Sequence, residues 1–200
     1  MKTTSELEFE KFLTENGLPF ERVEEQQTPR PDYLVQRGDL KLLFEVKEIA
    51  EDENFTMEPM KVYSRTMGDH VRSKITESRR QVQYGAKQGI PSVLLVYNNL
   101  DPFHLFGTED HDFIAAMYGE YTLMLDIKRM KRLDAFHGRN KSLGKSKNTS
   151  FSAVGRLYPV SGKLKVTLFE NVYAKVKIPF DVLPSCFEVK RVEITHGEHV

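Results

Sequence analysis

The chain has 200 residues, of which 40% are apolar and 29% charged, and its 29 basic and 29 acidic side chains give a net charge of zero. This composition fits one medium-sized globular domain and excludes global disorder. A single cysteine, Cys186, excludes a disulfide framework and a cysteine-rich zinc site. The N-terminus has no apolar signal segment, and the longest apolar run covers only 93–97, so we expect a cytoplasmic protein that does not span a membrane.

Charge is unevenly distributed along this neutral chain. Residues 1–60 carry 15 acidic and 7 basic side chains, residues 61–90 carry 2 and 7, and residues 128–147 carry 1 and 8. An acidic region followed by two basic regions is consistent with a cation site that faces a phosphate-binding surface. Solvated helix faces and loops explain the same pattern, so charge alone does not choose between the two interpretations.

The N-terminal segment has the periodicity of a short amphipathic helix over 4–16. The helix is expected to begin at a capping box, formed by Thr3 with Glu6 or by Ser5 with Glu8. Its predicted apolar face comprises Leu7, Phe9, Phe12 and Leu13. Asn16-Gly17 is expected to end it.

The remaining elements follow from alternation, apolar runs and turn residues. Strands are predicted over 20–24, 32–37, 40–49, 92–97, 121–127, 152–159, 163–170 and 174–178, helices over 69–87 and 112–118, and loops over 50–60 and 137–150. Asp110 is expected to cap the last helix, and the Gly/Ser/Lys-rich loop 137–150 is expected to be mobile. This order predicts an α/β or α+β fold in a single domain, 1–200, with a core over about 4–127 and a C-terminal β extension over 151–200.

A tight hairpin around Gly38-Asp39 is the most informative local prediction. Glycine at the first central position favours a two-residue type II′ turn, which places Arg37 opposite Leu40. Counting along the ladder from that pair puts Asp32 directly opposite Glu45, with Cβ atoms roughly 5 Å apart. Lys47, two residues beyond Glu45, projects from the same face.

Two carboxylates that face each other in an apolar hairpin repel, and a divalent cation would remove the conflict. The lysine would neutralise part of the negative charge, and its ammonium group would point at the ligand that the cation binds. Such a group has the parts needed to hydrolyse a phosphodiester: oxygen ligands for Mg²⁺ or Mn²⁺, with the Val46 carbonyl as a further donor, and an ammonium near the nucleophile. The alternative is a surface hairpin with an ordinary Glu-Lys pair and an unrelated aspartate.

The stretch from Pro31 to Lys47, within roughly residues 4–98, resembles the PD-(D/E)XK nuclease superfamily. The resemblance implies a restriction-endonuclease-like core of helix, three strands, helix and strand, with a mixed central sheet flanked by helices. The signature carboxylates and lysine would be Asp32, Glu45 and Lys47. Many members carry a further acid on the first helix, which would be Glu6, with Glu10 as the fallback; the capping box is the competing role for Glu6.

The second helix extends the resemblance. There a glutamine on the helix after the lysine often faces the active site, and it would be Gln81. Some members have a tyrosine four positions later, where this sequence has Gly85, with Tyr84 one place before it. The basic residues predicted to contact phosphates are Arg72, Lys74, Arg79, Arg80, Arg139, Lys141, Lys145 and Lys147.

The resemblance implies a nuclease dependent on Mg²⁺ or Mn²⁺, with DNA and endonucleolytic cleavage favoured and RNA left open. A second hypothesis is a catalytically inactive nuclease-fold module that binds nucleic acid or a protein partner, with the C-terminal β region available for homodimer formation. A third is an interaction protein unrelated to nucleic acid. No glycine-rich phosphate loop is present. Cys186 is expected to be a small core residue, and the spacing of His104, Asp110, His111 and Asp112 matches no recognised metal site.

Overall fold

The computed structural model describes residues 2–24, 27–51, 65–101 and 106–192. The helices in these ranges are α1 (Thr4–Glu15), α2 (Asp69–Glu77), α3 (Arg79–Lys87) and α4 (Asp110–Tyr118), with a single 3₁₀ turn at Phe180–Val182. The strands are β1 (Phe20–Arg22), β2 (Tyr33–Arg37), β3 (Leu40–Ile49), β4 (Ser92–Asn98), β5 (Tyr121–Asp126), β6 (Lys131–His137), β7 (Ala153–Val160), β8 (Lys163–Glu170) and β9 (Phe187–Lys190). None of the helices in the described ranges has the length and apolar character needed to cross a bilayer.

Seven strands form one mixed sheet in the order β1-β2-β3-β4-β7-β8-β9. The pairs β1–β2, β2–β3 and β7–β8 are antiparallel, and the pairs β3–β4, β4–β7 and β8–β9 are parallel. The expected α/β class, with a mixed sheet flanked by helices, is therefore confirmed. The region 151–200, expected as an extension, supplies strands of this same sheet, because β7 pairs directly with β4.

The sheet separates two apolar layers. On one side α1 packs Phe9 against Phe44 of β3, with ring centroids 5.0 Å apart. On the other side α2, α3 and α4 cover Leu94 and Val96 of β4. Since side chains alternate across a strand, Glu45, one residue after Phe44, faces the layer of α2 and α3. The fold therefore buries the carboxylate predicted to be functional between the sheet and its helices.

Turn residues set the register of both long hairpins. The β2–β3 ladder pairs Arg37 with Leu40 and Tyr33 with Phe44, as predicted. Gly38 has a φ of 58°, and the next residue keeps a negative φ, which fits a type II′ turn. At the β7–β8 turn, Ser161 and Gly162 both have positive φ, of 50° and 78°. The predicted strand over 163–170 is reproduced at both ends.

Helix α1 agrees with the prediction except at Leu7. Thr3 and Glu6 form the capping box, and Gly17, with a φ of 62°, follows the helix end. Phe9, Phe12 and Leu13 are buried. Leu7 is 53% exposed, so its expected place in the apolar face is wrong.

Other boundary predictions fail where tertiary contacts decide the outcome. The single helix predicted over 69–87 is divided at Ser78. This is because α2 packs mainly against α4, whereas α3 packs against β3 and β4. The strand predicted over 174–178 does not form, since β9 occupies the edge of β8. The expected cap Asp110 is the first helical residue, and Glu109 caps α4 in its place. Most of the predicted loop 50–60 lies outside the described residues.

The segment 137–150 is anchored rather than mobile, which corrects the expectation. His137 ends β6, a strand that the sequence did not predict. Leu143 is fully buried against α4. The N–H groups of Ser142 and Leu143 donate to the carbonyls of Ala116 and Met117 at the end of α4. The basic residues of this segment therefore sit on a fixed backbone.

Gly155 of β7 provides a test of the packing between β4 and β8. A Cβ at this position would lie 2.6 Å from the Thr167 carbonyl oxygen and 2.8 Å from a Leu168 methyl. We expect Gly155→Ala to lower the free energy of unfolding by about 2 kcal/mol. The reason is that the Thr167 backbone, which is hydrogen-bonded within the sheet, cannot move away from the added methyl group. Gly144→Ala, whose nearest contact is at 3.9 Å, is the control. Equal stability of the two variants in urea denaturation would contradict the packing described.

Candidate metal centre

The β2–β3 hairpin brings together the three residues singled out by the sequence. Asp32 directly precedes β2, and Glu45 and Lys47 lie on β3. Oδ2 of Asp32 accepts a hydrogen bond from the Val46 N–H at 2.8 Å. Nζ of Lys47 lies 2.7 Å from Oε1 of Glu45. The result is a compact group of two carboxylates and one ammonium at the open end of the hairpin.

Two oxygen atoms, one in this group and one beside it, are buried with no hydrogen-bond partner among the described residues. Glu45 is only 1% exposed, and its Oε2 accepts no hydrogen bond from any described residue. Oε1 of Gln81, on α3, is likewise buried and without a donor among the described residues. Unsatisfied acceptors of this kind cost free energy, and a cation or a bound water would satisfy them.

The group opens onto a cavity of about 300 Å³. The cavity is bounded by the segment that leads into β2, by β3 and by α3. Its lining residues are Arg22, Val23, Gln27, Thr28, Pro29, Arg30, Pro31, Asp32, Glu45, Lys47 and Gln81. The cavity thus combines two acids, three cations and two amides, and it is large enough for a small polar ligand.

Burial changes the protonation equilibria of the three central groups. Burial, and then the neighbouring Asp32, raises the pKa of Glu45 to about 7, although Lys47 opposes the shift. Burial also raises the pKa of Asp32, against the Val46 hydrogen bond and Lys47. Burial alone would lower the pKa of Lys47, but Glu45 and Asp32 raise it above its ordinary value. Both acids therefore resist ionisation together, and a bound cation would reverse that preference.

The backbone of Val46 is placed to supply a further oxygen. Within the strand, the N–H and C=O of one residue point to the same side. The Val46 N–H points toward β2, where it reaches the Asp32 side chain beyond the last ladder pair, Tyr33 with Phe44. Its carbonyl therefore points toward the Asp32 edge as well, consistent with the predicted ligand set.

Glu6 is engaged elsewhere and does not line the cavity. Its Oε1 pairs with Arg22 at 2.6 Å. Its Oε2 accepts from the Thr3 N–H at 2.7 Å, so the capping-box role is the one observed. The fallback, Glu10, accepts from the Tyr33 hydroxyl at 2.9 Å and pairs with Lys2 at 2.6 Å. As placed, neither acid joins Asp32 and Glu45 as a direct ligand.

The basic residues predicted on the second helix divide into two classes. Arg72 joins α2 to α4, because it bonds the carbonyls of Met67 and Ala115 and pairs with Asp69. Lys74 pairs with Glu77 at 3.0 Å. The side chains of Arg72 and Lys74 are therefore engaged within the protein, and their observed role is structural.

Arg79 and Arg80 are exposed on α3 and line a shallow surface depression. The predicted cations of the second basic region are exposed on the segment anchored to α4: Arg139, Lys141, Lys145 and Lys147. Within that segment Lys147 donates to the Lys141 carbonyl at 2.8 Å. All six remain accessible to a ligand from solvent.

Arg22 and Arg30 are cavity residues that sequence reasoning missed. Arg22 is opposite Tyr33 in the β1–β2 ladder, so only the pairing of β1 with β2 reveals that it adjoins Asp32. The Arg30 guanidinium lies over the Tyr84 ring, 4.9 Å from its centroid. The signal available for Arg30 was its position two residues before Asp32.

Close packing explains why glycine occurs at position 85. A Cβ there would lie 2.1 Å from Oγ of Ser92 and 2.7 Å from a Leu43 methyl. A tyrosine at this position would collide with the sheet. Tyr84 instead reaches the rim of the cavity through its contact with Arg30.

A second group of possible ligands lies at the start of α4. Carboxylate and imidazole atoms of Glu109, His111 and Asp112 lie within 4.8 Å of one another. Asp112 already accepts from Arg65 at 2.5 Å and from the Gly68 N–H at 2.9 Å, which gives it a structural role. His104, included in the sequence-based grouping, lies outside the described residues.

Comparison of the chain with models of protein families, with curated proteins and with solved structures finds no match.

The pKa of Glu45 leads to a prediction about stability. Its folded value of about 7 exceeds the ordinary 4.5, so the native state binds more protons between these values. Without divalent cations, the free energy of unfolding should fall as pH rises through this window, by on the order of 3 kcal/mol. Millimolar Mg²⁺ or Mn²⁺ should raise Tm strongly at pH 8 and little at pH 5, as measured by thermal denaturation.

Glu45→Gln is the control for this prediction, because it removes the titrating group while keeping the shape. The variant should show a weaker loss of stability with rising pH and a smaller cation effect. A wild-type Tm that is insensitive to both cations at pH 8 would argue against a metal centre.

Proposed function

We propose that this chain is a metal-dependent nuclease that hydrolyses phosphodiester bonds, with DNA as the favoured substrate. The observation that carries the proposal is the buried Oε2 of Glu45, which has no partner among the described residues and lies beside Asp32 and Lys47 on a cation-lined cavity. The order α1, β1–β3, α2 with α3, then β4 matches the restriction-endonuclease-like core that the sequence resembles. This agreement of order supports the proposal.

The residues suited to hold a divalent cation are Asp32, Glu45 and the carbonyl of Val46. All three offer hard oxygen atoms, the donors that Mg²⁺ and Mn²⁺ prefer. When bound, such an ion neutralises phosphate charge and lowers the pKa of a coordinated water. The raised pKa values of both acids indicate that the protein has placed negative charge where a cation would be most stabilising.

The side chains around the acids position the substrate. Lys47, held by Glu45, presents an ammonium to the cavity, where it orients a phosphate oxygen or the attacking water. Gln81 offers an amide oxygen, without a donor among the described residues, that accepts a hydrogen bond from that water. Preorganised groups of this kind act without reorganisation in a partly water-excluded site.

Glu6 contributes to this arrangement through Arg22. The pair at 2.6 Å holds the Arg22 guanidinium beside the cavity, where its charge partly opposes the rise that burial causes in the pKa of Asp32. We assign Glu6 as a positioning residue for a phosphate-binding arginine, in place of the direct metal ligand that the resemblance implied. Arg22 and Arg30 then neutralise phosphates next to the scissile bond.

A non-catalytic binding module is the second candidate. One observation favours it: Lys47 already neutralises Glu45 at 2.7 Å, so the site is electrostatically tolerable with no ion present. Under this hypothesis the same cavity binds a phosphate group and does not cleave. Binding of DNA without cleavage, in Mg²⁺ and in Mn²⁺, would favour it.

The cleavage hypothesis predicts that Glu45→Ala and Lys47→Ala each reduce Mg²⁺-dependent hydrolysis by on the order of a thousand-fold. The measurement is the initial cleavage rate on labelled single- and double-stranded DNA, with RNA as a third substrate. Lys41→Ala is the matched control, because Lys41 is an exposed lysine on the same strand and is not part of the cavity. Substantial activity in the Glu45 variant would refute the assignment.

The exposed arginines of α3 predict a salt effect. If Arg79 and Arg80 contact the DNA backbone, replacing both with alanine should make DNA binding less sensitive to salt. The plot of the logarithm of the association constant against the logarithm of the salt concentration should become less steep by about 1 to 2. DNA affinity measured by fluorescence anisotropy at several salt concentrations checks this. Lys163→Ala, at the exposed β7–β8 turn, should leave the slope unchanged.

A further inference from the structure

The β5–β6 ribbon stands apart from the seven-stranded sheet. It pairs only with itself among the described strands, from Tyr121 opposite His137 to Asp126 opposite Lys131. An isolated two-stranded ribbon is marginally stable in water, and its unpaired edges invite another chain. The sequence predicted β5 as part of the core, whereas the structure places it outside the sheet.

One face of the ribbon is apolar and uncovered. Tyr121, Leu123 and Leu125 alternate along β5 and therefore share a face. Ala135 is opposite Leu123, and the register shift after Met124 leaves Leu133 as an additional residue beside Leu125. The exposed fractions are 59% for Tyr121, 50% for Leu123, 59% for Leu125 and 60% for Leu133. Apolar side chains of this size are rarely left together in solvent without a partner.

The tip of the ribbon adds to this surface. Ile127 is 81% exposed and Met130 is 88% exposed. Together with the four large residues of the apolar face, their exposed area is roughly 800 Å², close to one partner's share of a standard protein–protein interface.

We propose that the apolar ribbon face binds the same face of a second copy of this chain and forms a homodimer. A two-fold interface needs one patch that is complementary to itself, and a flat face of alternating apolar residues meets that requirement by stacking sheet on sheet. This proposal is independent of the nuclease proposal and goes beyond it.

Charge on the ribbon favours a second copy over nucleic acid and sets the direction of packing. Lys128, Arg129 and Lys131 lie at the tip, whereas Arg132 is opposite Leu125 and its guanidinium donates to the Tyr121 hydroxyl at 3.4 Å. Among the described residues of the ribbon, Arg132 is the one lysine or arginine that the strand pairing places on the apolar face, whereas a phosphate-binding face would carry cations along its length. Two basic tips repel, so the ribbons pack antiparallel, with each tip directed away from the tip of its partner.

The test is the solution mass of the full chain, measured by light scattering after size exclusion over a range of concentrations. We expect a particle of twice the 23.2 kDa chain mass. Leu123→Gln should raise the dissociation constant by on the order of 100-fold, because each dimer would bury two amide groups and Ala135, opposite position 123, offers no side-chain hydrogen bond.

Met124→Gln is the matched control, since Met124 is 47% exposed on the opposite face of the same strand and the change introduces the same uncharged amide. It should remain dimeric. Circular dichroism and Tm should not differ between the Leu123 and Met124 variants, because both sites are exposed in the monomer. A monomeric wild type, equal dissociation of both variants, or a ribbon that engages DNA or lipid vesicles while the protein stays monomeric would overturn the proposal.

Discussion

A carboxylate buried between a sheet and its helices is the constraint on which the rest of the site depends. Glu45 is 1% exposed on β3, where its neighbours Phe44 and Val46 are buried apolar residues. Ionising it there is costly, so its neighbours must share the charge. Lys47 pairs with one oxygen, and the second oxygen, which has no partner among the described residues, is left to a ligand in the cavity.

The surroundings of this group follow from the same constraint. The end of the β2–β3 ladder at Tyr33 frees the Val46 N–H to bind Asp32, which brings the second acid beside Glu45. Burial strengthens every charge interaction in the group, because the surroundings screen charge less than water does. The two arginines on the cavity wall extend the cationic surface outward from it.

Local sequence predicted the centre of the site but not its wall. Glycine at position 38 sets the turn, and strand alternation then determines which residues share a face, so the neighbours of Glu45 follow by counting along the hairpin. Arg22 lies at the cavity because β1 pairs with β2, and a loop separates these two strands in the sequence. The resemblance implied a metal-ligand role for Glu6 beside the competing capping-box role, and the structure shows the capping box together with a salt bridge to Arg22.

The sequence by itself determined the α/β class, the two tight hairpins and the closeness of Asp32, Glu45 and Lys47, because each depends on residues near one another in the chain. Only the tertiary structure decided the strand order, the break between α2 and α3, the anchoring of 137–150 and the separation of the β5–β6 ribbon. These features depend on which surfaces compete for the same edge or face of the sheet, and periodicity within one segment carries no information about that competition.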